Sequence, residues 1–130
     1  MSLKAIPIGR PELQSLFRAV GGEEGLRKIL EDFYTRMASD VMIGFFFNGK
    51  DLNIIAGKQR EFLMRAMGAA ESYSGKAPAQ AHTELAPILP GHFDRRLRIL
   101  EETLQAHAID AAQIRVWIAF ESTFRGGIVK

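Results

Sequence analysis

The chain has 130 residues, 47% of them hydrophobic, with a mean hydropathy of -0.03, enough for one compact core and little for a second. Seventeen Lys and Arg against fifteen Asp and Glu give a formal charge of +2, scattered rather than gathered into a stripe, so nothing points to nucleic acid. The lack of cysteine excludes disulfides and thiolate metal sites, and no window approaches the roughly eighteen apolar residues of a membrane span.

One domain over residues 1–130 is expected, with residues 1–10 as a flexible N-terminal extension. The N-terminal apolar run is too short for a signal peptide, so the expected location is cytoplasmic. Strand signals are poor and helical spacing is everywhere, which predicts an all-α fold. Pro11 can open a short first helix carrying Leu13, Leu16 and Phe17, and Gly21-Gly22 can end it.

From Glu23 a second helix puts Leu26, Ile29, Leu30, Phe33 and Met37 on one face. Tyr34 borders that stripe, and a phenol there must find a hydrogen-bond partner or place its oxygen in a cavity. Phe45, Phe46 and Phe47 cannot all face one side of a regular element, so they predict an irregular corner that wedges rings between helices. Asn48-Gly49 then turns the chain, and Asp51 is a candidate N-cap.

The third helix, about Leu52 to Gly68, has the inward stripe Ile55, Gln59, Phe62, Leu63 and Ala66. An unpaired amide in that stripe costs about 1–3 kcal/mol, so Gln59 should be held by a backbone partner or a ligand. Tyr34 is a second polar tip facing the same core from another helix. Two convergent polar groups in an apolar cavity describe a small-ligand pocket.

Beyond Gly68 the chain loosens, and Pro78 and Pro87 bracket a short helix bearing His82 beside Ala81 and Leu85. Pro90-Gly91 opens another long helix with the stripe Phe93, Leu97, Leu100 and Leu104, running out near His107. Asp110 and Gln113 cap a last helix whose inward residues are Ile114, Trp117, Ile118 and Phe124, with Gly126-Gly127 at its end. His92 is expected to cap a helix or face solvent, and His107 suits the negative end of a helix dipole.

An all-helical core lined with phenylalanine, one histidine on a short helix, and Tyr and Gln from two others is what a haem pocket requires. The sequence resembles the truncated haemoglobins, short globins that stack two helices on two. The resemblance covers Leu16 to about Phe124. It rests on Gly21-Gly22-Glu23, Asp32-Phe33-Tyr34-x-Arg36, Phe46-Phe47, Gly57-Lys58-Gln59-x-x-Phe62-Leu63, Tyr73-x-Gly75, Ala81-His82 and His92-Phe93-Asp94-Arg95 in the family's order.

That resemblance implies haem b (iron protoporphyrin IX) with His82 as the proximal iron ligand. It makes Tyr34 and Gln59 the distal donors to a dioxygen ligand, as in the first group of the family. Phe47 would wedge the porphyrin, Ile55 would stand where other globins have a distal histidine, and Phe33, Phe62 and Phe93 would line the pocket. Lys58 is either a partner for a haem propionate or an ordinary solvated lysine.

The implied function is binding of dioxygen, nitric oxide or other small diatomic ligands. Nitric oxide detoxification or peroxidase-like redox chemistry, supported by an electron-donating reductase, would follow from it. The alternatives are a globin-fold sensor or regulatory domain without oxygen chemistry, and a plain helical scaffold with an apolar pocket for another ligand.

Three features depart from the family pattern: Gly68-Ala69-Ala70 stands where Gly-Gly is usual, the span from His82 to Phe93 is one residue longer, and Arg96 replaces an apolar residue. The Arg96 stem is expected to run along the core with its charge outside, the alternative being a pairing with a propionate or the distal ligand. Trp117 is read as core.

Overall fold

Residues 8–70 and 87–129 are described by the computed structural model, and the chain is helical from its first described turn. Helix α1 (Arg10–Ala19) carries Pro11 in its first turn, and the Glu12 carboxylate accepts the Gly9 N–H at 2.9 Å. Leu13 and Leu16 are its buried residues. The chain then reverses through Gly21 and Gly22, whose φ of 96° and 70° lie in the left-handed region that glycine enters without strain.

Helix α2 (Gly22–Ala38) buries Leu26, Ile29, Leu30, Phe33, Tyr34 and Met37, which is the predicted stripe with the tyrosine included. Its start lies directly against the end of α1, where a Cβ on Gly25 would sit 1.7 Å from the Val20 carbonyl oxygen. The aromatic corner folds as a 3-10 helix (Gly44–Phe47). Phe45 is exposed while Phe46 and Phe47 pack against the core. Asp40 pins this corner by accepting the backbone N–H groups of Met42 and Ile43 at 3.0 and 3.2 Å.

Helix α3 (Leu52–Ala66) begins on Asp51, whose carboxylate accepts the N–H groups of Asn53 and Ile54. Its most buried line is Ala56 and Leu63, continued by Met67. The predicted stripe flanks that line: Leu63 is shared, while Ile55, Gln59, Phe62 and Ala66 are half-buried. After Gly68, at φ 78°, the N–H groups of Ala69 and Ala70 both return to the Met64 carbonyl. The short helix expected around His82 lies outside the described residues.

Helix α4 (Pro90–Ala106) buries Phe93, Ile99, Leu100, Thr103 and Leu104, whereas Leu97 is half-buried. The stripe is broader than expected because α4 packs on both α2 and α5. Thr103 is tolerated inside because its hydroxyl donates to the Ile99 carbonyl at 2.7 Å.

Helix α5 (Ala111–Ser122), capped by Asp110, buries Ile114, Trp117 and Glu121. It stops at Ser122, so Gly126-Gly127 does not end it. The two glycines lie inside a further single turn, α6 (Arg125–Ile128). Val129 then forms an isolated parallel bridge with Ile88. The helices pair as α2 with α3 and α4 with α5, and α2 lies across α4, giving two helices on two. Among the described residues no helix is long and apolar enough to cross a membrane.

Candidate functional site

Tyr34 and Gln59 approach the same region from α2 and α3, and the aromatic corner closes one side of it. Tyr34 is buried, with its ring 5.4 Å from Phe33 and edge-on to Phe47 at 5.9 Å. Such tilted and edge contacts fix a ring's plane, and with it the direction of the phenol oxygen. Ile55 and Phe62 lie on the half-buried side of α3 and pack against the core. Phe62 also joins Phe120 and Phe124 in an aromatic cluster, with centroids 6.4 and 5.6 Å away.

The centre of the site is an ion pair between α4 and α5. Glu121 is only 8% exposed at its side chain and Arg96 20%, with guanidinium nitrogens 3.3 and 3.2 Å from Oε2. The other carboxylate oxygen, Oε1, accepts the Trp117 indole N–H at 3.3 Å and the Gln59 amide at 3.5 Å.

Arg96 also lies 5.1 Å over the Phe33 ring and meets the Met37 sulfur at 3.9 Å. Burial alone would lower the guanidinium pKa, but Glu121 and Tyr34 outweigh it and raise the pKa above its ordinary value. The expectation that Arg96 carries its charge to the outside is therefore corrected: a buried charge needs a partner, and Glu121 supplies it.

Sequence reasoning missed Glu121. The signal was present: four residues beyond Trp117 on the Ile114–Trp117 face stands a carboxylate, as anomalous there as Gln59 is on α3.

The remaining predicted positions are more dispersed. Lys58 is exposed and pairs with Glu61 at 3.9 Å, on the solvated side of α3. Phe93 is buried beneath the Arg125 guanidinium, 5.2 Å from its ring centroid, at the start of α4. His82 lies outside the described residues. His92 does cap a helix: its Nδ1 accepts the Leu89 N–H at 3.1 Å, and its ring stands edge-on to Phe45 and Phe46.

His107, at the end of α4, meets Asp32 at 2.9 Å. Burial would raise the Asp32 pKa, but bonds from Arg36 and His107 hold it below the usual carboxylate value. Among the described residues no three His, Asp or Glu side chains are grouped to hold a metal ion.

The model of the bacterial-like globin family matches residues 15–126. The chain belongs to that family. It is 35% identical over 91 residues to the group 1 truncated hemoglobin LI410 of Chlamydomonas moewusii, a match covering 69% of this chain and 53% of that protein. To the group 1 truncated hemoglobin of Tetrahymena pyriformis it is 27% identical over 101 residues, covering 78% of this chain and 83% of the relative.

The match spans about half the length of LI410 and of GlbN from Mycolicibacterium paratuberculosis, 53% and 54%. The solved structure of the T. pyriformis protein in its Fe(III) form matches this globin with a TM-score of 0.78 at 24% identity, covering 88% and 97% of the two chains. A Synechococcus 2/2 hemoglobin matches with a TM-score of 0.76 at 24% identity, with the same coverages. The fold is thus the two-on-two truncated-globin fold.

Proposed function

We propose that this globin binds haem b with His82 as the axial iron ligand, and that its pocket takes dioxygen, nitric oxide and other small diatomic ligands. The convergence of Tyr34 and Gln59, from separate helices, on one aromatic-walled region carries the reading. The residues fit the group: a flat macrocycle needs apolar walls, and a polarised diatomic ligand needs donors on one side. Phe47, Ile55 and Phe62 offer half-buried apolar surface, and Phe33 and Phe93 are the buried rings proposed behind it.

Haem held there would supply reversible binding of diatomic ligands and, with a reductase returning an electron, oxidation of nitric oxide by dioxygen to nitrate. The chain's own residues set what such a ligand meets. Tyr34 and Gln59 donate to it, with each charge-assisted bond worth about 1.5–3 kcal/mol. Tilted contacts with Phe33 and Phe47 hold the Tyr34 ring. Lys58, exposed one residue before Gln59, is the proposed partner of a propionate. A cytoplasmic location belongs to the same reading.

An absorption spectrum after haem addition tests this directly. A Soret band is expected, and its absence sinks the haem reading in favour of a haem-free regulatory domain. The ferrous spectrum should change in His82→Ala; an unchanged spectrum removes His82 as the ligand. Tyr34→Phe combined with Gln59→Leu should speed dioxygen dissociation at least about tenfold, the equivalent of 1.4 kcal/mol. An unchanged rate takes both residues out of the ligand's reach.

A further inference from the structure

Helix α6 is too short and too rich in glycine to hold its own shape. It is a single turn, below the length at which helix formation repays nucleation, and Gly126 and Gly127 disfavour a helix further. Contacts beyond the turn must therefore hold it. Those contacts lead to two of the rings proposed for the haem pocket.

Phe124, the residue on which α6 begins, meets Phe62 of α3 edge-on with centroids 5.6 Å apart, and Phe120 at 5.2 Å. Arg125, next in the chain, lies 5.2 Å over the buried Phe93 ring of α4, and its Nη1 donates to the Asp94 carboxylate at 2.7 Å. Asp94 adjoins Phe93 in sequence, so the ion pair keeps the cation over that ring. Ile128 is buried, and Val129 bridges to Ile88 just before α4. Two adjacent residues thus reach rings on two different helices.

We propose that α6 is a clamp for the cofactor, with Arg125 positioning Phe93 and Phe124 positioning Phe62, so that docking of the turn and retention of haem strengthen each other. A ring that packs on a macrocycle must keep its plane, and a contact on its other side limits its rocking. The coupling is reciprocal: a docked turn that favours bound haem is itself favoured by bound haem. The inference rests on the pocket being a haem site and adds residues outside that pocket.

The first measurement is haem transfer from the ferric, haem-loaded chain to excess apomyoglobin, followed by absorbance. Arg125→Ala removes the ring contact and the ion pair at a side chain already 39% exposed. Haem loss should speed about threefold to fivefold, the combined worth of an exposed cation–π contact and an exposed ion pair. Arg125→Lys keeps a cation within reach of Asp94 and should restore most of the difference. Should Arg125→Ala fold poorly, Asp94→Asn serves, with faster loss again expected.

The second measurement is hydrogen exchange at the Val129 N–H, which donates to the Arg125 carbonyl at 2.9 Å. It should slow when wild type takes up haem, and slow less in Arg125→Ala. A turn that only stabilises the fold would exchange alike with and without haem. Wild-type haem loss in Arg125→Ala, or Val129 exchange that haem leaves unchanged, overturns the clamp and leaves the haem reading standing. No Soret band in wild type after haem addition overturns both.

Discussion

Replacing Glu121 by leucine removes a carboxylate that three side chains share. Arg96 loses its counter-charge while only 20% exposed. The fully buried Trp117 loses the acceptor of its N–H, and the Gln59 amide loses its partner. Breaking one side of a buried ion pair costs about 3–5 kcal/mol, because the other charge stays inside without compensation. Against a total stability of about 5–15 kcal/mol for a domain, that is a large share.

Arg96→Met made together with Glu121→Leu removes both charges, and the loss should shrink to about 1–2 kcal/mol, chiefly the unsatisfied indole N–H. The second substitution therefore restores stability that the first removed. Urea unfolding followed by circular dichroism measures all four corners of the cycle, provided every variant is compared at the same cofactor loading. A loss below about 1 kcal/mol for Glu121→Leu, or a double variant as unstable as the sum of the singles, would refute the account of a compensated buried pair.

Two further outcomes follow from other contacts. The Arg95 hydrogen bond, with smaller help from the Met42 and Ile43 N–H groups, holds the Asp40 carboxyl below its usual pKa. The folded pKa is therefore below the unfolded one, so this stabilisation is complete above about pH 4 and is lost as pH falls through the folded value. Asp40→Asn should flatten stability against pH in that acid range and leave the slope between about pH 5 and 8 unchanged; an unaltered acid limb would remove Asp40 from the account. Gly25→Ala places a carbon 1.7 Å from the Val20 carbonyl, so α1 and α2 must separate. A loss of about 2–3 kcal/mol is expected in the same unfolding assay, and a neutral result would mean the helices part without strain.

How legible the chain was depended on whether a residue's partner is local. The α2 stripe could be read because one helix face alternates cleanly with a charged one, and Asp51 and Asp110 because a cap bonds residues two and three ahead. Gln59 announced itself as an amide in an apolar row. The broad buried arc of α4 could not be read from its own period, because it is set by packing on two neighbours.

Glu121 and Arg96 were harder for the same reason. Each looks like a surface residue until its partner is known, and 25 residues separate them. Following Ile114 and Trp117 one further turn would have exposed Glu121 as an anomaly. Arg96 would then have had a candidate partner. The backbone turn at Gly68 was marked by its glycine, whereas nothing local indicated that α5 stops at Ser122.

The Arg96–Glu121 pair also bears on the time course of unfolding. Its bonds join positions 25, 59 and 62 residues apart and span four helices, so none of them can form until those helices have met. Contacts completed that late are largely absent from the folding transition state, and losing them shows in the escape from the native state. In stopped-flow measurements Glu121→Leu should steepen the loss of native protein while refolding proceeds at nearly the original rate. The pair then governs how long an assembled molecule persists, and the helix pairings around it govern how quickly it is made.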